Sequence, residues 1–312
     1  MYHFIVNPNA RTGLGLKIWN KIEVILKERK AEYICHLTEY QAHATDIVSD
    51  LTSDGKEHTI VAMGGDGTIN EVVNGICYPD KVTLGYIPIG SGNDFARGLG
   101  LPADPEKAID NILKPGNIMP FNLGIVEYGD IKRRFAVSSG IGFDADVCHY
   151  VGTSPVKSFL NKIKLGKLTY VIVAIQRIMA MKPYKMSLQM DDGRTILFDK
   201  VYFAAAQNLP YEGGGFKFCP AANPGDDVLD IILAEGFNKL QILCLLPTAF
   251  KGWHVKFKGI HIYTCKKCVI TSSPFGPLHT DGEPLFAHPE VRYSLETSAI
   301  KLIGAPCYES FS

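Results

Sequence analysis

The sequence predicts an α/β domain built on a parallel sheet, followed by a second, mostly β domain. Three observations carry this reading. Strand-like and helix-like apolar segments alternate through the first third of the chain, glycine-bearing turns follow three of those strands, and from about Phe121 the rhythm changes to strands joined by tight turns. A length of 312 residues fits two domains better than one core, and two domains imply a cleft between them.

The elements follow in order. Tyr2–Val6 reads as a strand, and Ile18, Ile22, Ile25 and Leu26 then recur at helical spacing. Tyr33–Leu37 is a second strand, Ala42–Leu51 a helix, Thr59–Met63 a third strand, Ile69–Ile76 a helix and Thr83–Ile89 a fourth strand. In the second half, Asp192-Gly193 between Met186–Met190 and Thr195–Phe198 is a hairpin signal. Helical insertions are predicted over Val156–Met181 and Leu240–Phe250. Residues 1–120 are expected to form the first domain and 121–294 the second. The alternating segment Ala299–Ile303 leaves open whether 295–312 completes the first domain.

Composition narrows the functional classes. With 32 basic and 32 acidic residues the formal net charge is zero, so no overall field recruits nucleic acid, and none is expected as a partner. The start, Met1-Tyr2-His3-Phe4-Ile5-Val6, runs straight into a strand without a signal-peptide pattern, which predicts a cytoplasmic protein. The apolar stretch Leu168–Met181 is interrupted by Gln176 and Arg177 and falls short of the roughly 20 residues a spanning helix needs. No transmembrane segment is expected. The eight cysteines read as reduced core residues. Cys265-Lys266-Lys267-Cys268 has metal-like spacing, but it reads as one strand, where residues three apart face opposite sides.

The most informative run is Thr59–Thr68, where a buried strand ends in Gly64-Gly65-Asp66-Gly67-Thr68 and a helix begins. Backbone N–H groups and the positive helix end then face outward together, which makes an anion site. The glycines permit positive φ and close approach, and Thr68 offers a hydroxyl. Asp66 beside a polyphosphate would repel it unless a divalent cation, most naturally magnesium, bridges the two, or unless it contacts a ribose or the acceptor. The competing reading is an ordinary Asp-Gly turn. Two further turns, Asn7 to Gly13 and Gly90-Ser91-Gly92-Asn93-Asp94, follow neighbouring strands and converge on the same sheet edge, which favours phosphate binding. No Gly-x-x-x-x-Gly-Lys-Ser/Thr is present, and Gly13-Leu14-Gly15 and Gly140-Ile141-Gly142 do not complete a dinucleotide fingerprint.

Three segments together, Gly64–Val72, Gly90–Arg97 and Thr280-Asp281-Gly282-Glu283, resemble the bacterial diacylglycerol-kinase-like lipid kinases, and the resemblance covers essentially the whole chain. The Gly-Gly-Asp-Gly-Thr run alone is shared with NAD kinases and, more distantly, phosphofructokinases. Asn93-Asp94-Phe95-Ala96-Arg97 favours the lipid-kinase branch. The resemblance implies a nucleotide-binding α/β domain followed by a β-sandwich domain, with ATP in the cleft. Carried over by motif, Asn7, Pro8, Asn9, Ala10 and Arg11 would line the nucleotide and Thr38 would touch it. Gly64, Gly65, Asp66, Gly67, Thr68, Ile69 and Asn70 would wrap the phosphates, with Ser91 and Asn93 in the third turn. Ser91 stands where the family usually has threonine, and both supply a hydroxyl. In the first turn Arg11-Thr12 precedes the glycine, unlike the usual pattern; a guanidinium there suits phosphates electrostatically.

On the acceptor side the resemblance points to Glu283 as the base that takes the lipid hydroxyl proton, with Asp281 close enough to share or replace that role. A plain β-turn at Asp281-Gly282 is the alternative, and both readings can hold. His279 is a candidate to support this motif; His43 reads as a surface residue near Thr38. By the same resemblance Asp227, with the carbonyls of Pro224 and Leu229, would hold a structural magnesium. Val228 replaces the usual glycine there, and a solvated acidic turn competes. Tyr211–Phe218, with its glycine triplet, is expected to line an apolar acceptor surface on a mobile or closely approached loop. Lys157, Lys162, Lys164 and Lys167 could rest on an anionic bilayer, giving peripheral membrane attachment, or simply be solvated.

The expected activity is transfer of the γ-phosphoryl group of ATP, with Mg2+, to a lipid hydroxyl presented at a membrane surface. Diacylglycerol, phosphatidylglycerol and sphingoid bases all stay open as acceptors, and oligomeric state is not readable. The competing readings are a kinase of a soluble acceptor such as NAD and a catalytically silent regulator. Retention of Asp66, Asp281 and Glu283 argues against the last.

Overall fold

The computed structural model describes residues 1–153 and 175–305. The first region is a parallel sheet of β1 (Tyr2–Val6), β2 (Tyr33–Leu37), β3 (His58–Gly64) and β4 (Val82–Pro88) in the spatial order β2-β1-β3-β4. Both faces of these strands are apolar because helices cover both. Phe4 and Val6 on β1, with Val61 and Met63 on β3, pack against Trp19, Ile22 and Leu26 of α1 (Ala10–Glu28). The intervening residues Ile5, Ile60 and Ala62 meet Ala44 and Val48 of α2 (His43–Thr52) and Ile69, Val72 and Val73 of α3 (Asp66–Gly75). The period of two along each strand sorts these side chains to opposite layers. Two further helices, α4 (Asp94–Gly98) and α5 (Pro105–Leu113), follow β4.

The second region is antiparallel and sandwich-like. It comprises β5 (Ile118–Tyr128), β6 (Ile131–Phe135), β7 (Ser138–Gly142), β8 (Tyr184–Met190), β9 (Thr195–Gln207), β10 (Leu229–Glu235), β11 (Ile260–Cys265), β12 (Lys267–Ser273), β13 (Leu278–Thr280), β14 (Glu283–Leu285) and β15 (Glu290–Ile303). Two helices, α6 (Phe143–Thr153) and α7 (Lys239–Ala249), accompany them, and residues 175–180 are helical. The hairpin expected at Asp192-Gly193 forms, with Gln189 opposite Thr195. The long strand β15 joins the two regions. Its first half pairs antiparallel with β12, and its end runs parallel to β4 through Lys301↔Thr83 and Leu302↔Leu84. A bulge near Ser298 turns it between the two, with the Ser298 N–H donating to Asn122 Oδ1 at 2.6 Å.

Two local expectations are corrected. Cys265 and Cys268 do not share a strand: a bend at Lys266 separates β11 from β12, and both thiols are buried. Phe216 and Phe218 of the 211–218 loop turn toward the second core instead of lining an acceptor surface: Phe218 is buried in it, and Phe216 packs against it, stacked on Phe218 and on Phe250 just past α7. The basic start of the 156–181 insertion, with its four lysines, lies outside the described residues. No described helix is long and apolar enough to cross a membrane.

Candidate active site

The carboxyl ends of β1, β2, β3 and β4 open on a cleft of about 320 Å³ lined by Asn7, Asn9, Thr38, Glu39, Tyr40, Gln41, Thr68, Glu71 and Glu283. An adjoining cavity of about 240 Å³ adds Ala10, Arg11, Gly65, Gly67 and Gly90. Residues from positions 7 to 283 of the chain therefore meet at one sheet edge, as a parallel sheet dictates. Arg11 is the one basic side chain lining it among the described residues, against Glu39, Glu71 and Glu283.

Helix α3 begins at Asp66, with Gly65 in extended backbone at its N-cap, so the glycine run is a helix start and not an Asp-Gly turn. Gly64, Gly65 and Gly67 have ordinary φ values, and their need for glycine lies in contact. A Cβ at Gly64 would lie 2.1 Å from Thr68 Oγ1, one at Gly65 3.2 Å from Gly90 Cα, and one at Gly67 2.7 Å from Glu283 Oε1. The last of these is how the second region's Glu283 comes to sit against the phosphate-type loop. Ile69 is buried in the core, and Gly64 lies within β3. Ser91 is exposed, and Asn93, at φ +53, donates from Nδ2 to the Gly90 carbonyl at 3.1 Å.

Asp66 turns away from the open cleft. Its Oδ1 accepts from the Phe95 N–H at 3.0 Å, and the Asp94 and Asn93 N–H groups also point to it, so it caps α4. Beside it stands Asp94, whose Oδ1 accepts from Arg97 Nη1 at 2.5 Å and whose Oδ2 accepts from the Gly214 N–H at 2.6 Å. A Cβ at Gly92 would lie 3.1 Å from Asp66 Oδ2 and 3.5 Å from Asp94 Oδ2, so both oxygens face one point. Burial and the Asp66 charge push the Asp94 carboxyl up to about 7, and burial raises Asp66 despite its donors.

Asp281 is built differently. It and Gly282 occupy the two left-handed positions of a two-residue hairpin between β13 and β14, at φ +48 and +83. Its Oδ1 accepts from Val137 and Ser138 N–H at 2.8 and 3.0 Å, and its Oδ2 from Ala136 N–H and Asn70 Nδ2 at 2.9 and 2.8 Å. Four donors therefore occupy the Asp281 carboxylate and tie the turn to β7, the loop before it and α3. Asn70 also accepts from Arg133 Nη2 at 2.6 Å, so α3 is tied both to β6 and, through Asp281, to the hairpin. Asp227 Oδ1 and the Pro224 carbonyl, expected to hold a structural magnesium, both accept from Asn122, at 3.0 and 2.9 Å, while Leu229 starts β10. Neither they nor Pro8 lines the cleft.

Residues 1–126 match the family model of the diacylglycerol kinase catalytic domain, and residues 137–304 match that of the YegS C-terminal NAD kinase beta sandwich-like domain. The chain is 33% identical to YtlR of Bacillus subtilis, whose name proposes a lipid kinase, over 90% of this chain and 93% of that one. The chain belongs to the diacylglycerol-kinase-like lipid kinase family. A diacylglycerol kinase of the same organism is 29% identical over 89% of this chain and 88% of its own. A Bacillus anthracis protein described as a candidate diacylglycerol kinase shares the fold at a TM-score of 0.78, with 24% identity and 98% of both chains covered. An NAD kinase of Archaeoglobus fulgidus, solved with ATP, superposes at 0.54 with 13% identity, over 97% of this chain and 92% of that one.

Several residues in and around this site are not marked as functional by any local sequence spacing. Asp94 stands out there only as part of a motif, and its partnership with Asp66 needs the fold. Glu71 accepts from the Ala42 and Ala44 N–H groups at 2.9 and 3.2 Å, capping α2 from α3. Asp144, Glu212 and His279 form a buried cluster whose ligand-type atoms lie within 4.8 Å of one another. No local spacing signals such a group, because its members lie on α6, on the glycine-triplet loop and on β13.

Proposed function

We propose that the protein is an ATP-dependent kinase that transfers the γ-phosphoryl group to a hydroxyl of a lipid such as diacylglycerol, with magnesium required. The observation that carries this is the Asp66–Asp94 pair, Asp94 buried and Asp66 partly so, set behind the glycine turns that line the cleft with Glu283. Two like charges in one dry place are costly, and a pair whose oxygens face one point suits a divalent cation. The acidic lining of the cleft adds to this, since a polyphosphate seated among Glu39, Glu71 and Glu283 needs more positive charge than Arg11 supplies. Bound magnesium would neutralise phosphate charge there.

The chain's own residues do the rest. Asn7, Asn9, Ala10, Arg11 and Thr38 would hold the nucleotide along the first two strand ends, and the N–H groups at the start of α3 would cradle its phosphates. Ser91 and Asn93 would close the third side. Glu283 would accept the proton of the attacking hydroxyl, at the mouth where a lipid headgroup can enter. Asp281 would hold the turn that presents it.

The test is transfer of label from γ-labelled ATP with Mg2+ to vesicles containing diacylglycerol and, separately, to NAD. Label in the lipid extract is the expected result. Label in NAD alone would contradict the acceptor, and label in neither would contradict the kinase reading.

A further inference from the structure

His279 lies at the centre of the cluster the proposed reaction does not use. It is wholly buried, and its Nε2 stands 3.2 Å from Asp144 Oδ2 and 3.2 Å from Glu212 Oε1. On its other side, the Gly282 N–H donates to Nδ1 at 3.2 Å. Gly282 is the second residue of the hairpin that presents Glu283. The approach is close by construction, since a Cβ at Gly140 would lie 1.8 Å from Asp144 Oδ2 and 2.8 Å from His279 Nε2. Gln207 Nε2 donates to Glu212 Oε2, holding the second carboxyl in place.

The tautomer follows from these bonds. Burial favours a neutral imidazole, while ionised Glu212 and Asp144 beside the ring push it well above its ordinary value and favour a cation when both carboxyls are charged. The same two protons can instead be placed as a neutral imidazole and one protonated carboxyl, a state that the burial of Asp144 promotes. The Gly282 N–H decides between the two, because it needs a lone pair at Nδ1. Nε2 then carries the proton toward the carboxyl pair and has no lone pair for a metal ion. The cluster is therefore a hydrogen-bonded clamp, although its residue types would suit an ion.

We propose that the neutral, Nε2-protonated His279 is a positioning residue that fixes the Asp281-Gly282 turn, and with it Glu283, by accepting the Gly282 N–H. The inference rests on the reading of Glu283 as the base. It also gives the glycine-triplet loop a structural role. Glu212 anchors His279 and, two residues further on, the Gly214 N–H holds Asp94 Oδ2. One short loop thereby sets the distance between the proposed donor side and the proposed base.

Two substitutions separate the two sides of the ring. In His279→Asn the amide oxygen takes the place of Nδ1 and can still accept from Gly282; in His279→Gln the amide reaches the Nε2 position and leaves Gly282 without an acceptor. With ATP and diacylglycerol vesicles, His279→Asn should keep kcat within about threefold, and His279→Gln should lose roughly 10–100-fold in kcat with KM for ATP unchanged. Hydrogen exchange across 278–285 should quicken only in His279→Gln. Equal losses in both variants, or wild-type kcat in His279→Gln, would overturn the proposal. The ring nitrogen shifts of the unaltered protein test it without any variant: a pyridine-type Nδ1 at pH 7 is expected, and a protonated Nδ1 would refute it. Glu283→Gln run alongside keeps the two readings apart, since full activity there sinks the base and leaves the nitrogen shifts and the exchange pattern as separate results.

Discussion

Asp94 and Asp281 are both buried aspartates whose carboxyls are raised by burial, both lie within a few residues of a glycine turn, and what differs is the company each keeps. Asp281 is surrounded by donors: three backbone N–H groups and one amide. Asp94 has an arginine and one N–H, but it also faces Asp66, and its carboxyl is pushed up to about 7. A buried carboxylate matched by donors holds the fold together. One pressed against a like charge costs stability, and such a cost is expected where a ligand removes it.

Three substitutions break this comparison open, and Glu283→Gln should have the largest effect. Loss of the proposed base should lower kcat by roughly 10²–10⁴-fold, while the melting temperature and nucleotide affinity, read by calorimetry, stay at wild-type values. Next comes Asp281→Asn, which replaces one acceptor oxygen by an NH₂ that faces backbone N–H groups. Denaturant unfolding should show a loss of roughly 3–5 kcal/mol, the usual cost of breaking a buried charged network. The smallest effect is expected for Gly140→Ala, where a methyl meets Asp144 and His279 in a packed interior. A loss of about 1–3 kcal/mol in the same unfolding experiment is typical of overpacking. A neutral outcome for Asp281→Asn would erase the contrast between the two carboxylates, and a neutral Gly140→Ala would show that the histidine clamp has slack.

Much of the fold is legible in the sequence because it is local. The alternation of Tyr2–Val6, Ile18–Leu26, Tyr33–Leu37 and Thr59–Met63 is periodicity, and periodicity survives without any knowledge of partners. Both faces of β1 and β3 are apolar, which is itself the mark of a parallel sheet covered by helices. The site is legible in its loops and not in its wiring. Sequence allows positive φ or close approach at Gly64, Gly65 and Gly67; the structure uses the second, because Thr68, Gly90 and Glu283 approach them. Glu283 reaches Gly67 across more than 200 positions of chain, and no spacing rule spans that distance. Asp281 looks as available as Glu283 until the strand β7 and the loop before it supply its donors. The Cys265–Cys268 segment reads as one strand because nothing in it marks the bend that separates the two thiols. Phe216 and Phe218 look like a lipid-facing surface because nothing in the sequence shows them stacking on each other and against the second core.

The most direct test of the contrast is the stability of Asp94→Asn in metal-free buffer as a function of pH. Asp94 has a raised folded-state value, so its protonated form is the stable one in the fold. Stability tied to it is fully present below the unfolded value near 3.8, and it is lost as pH rises through about 7. Asparagine mimics the protonated form at every pH. Asp94→Asn should therefore match wild type near pH 4, exceed it at pH 8 by roughly 2–4 kcal/mol, and fail to transfer phosphate. An Asp94→Asn protein that is less stable than wild type at pH 8, as Asp281→Asn is expected to be, would contradict the assignment of the Asp66–Asp94 pair as a ligand site.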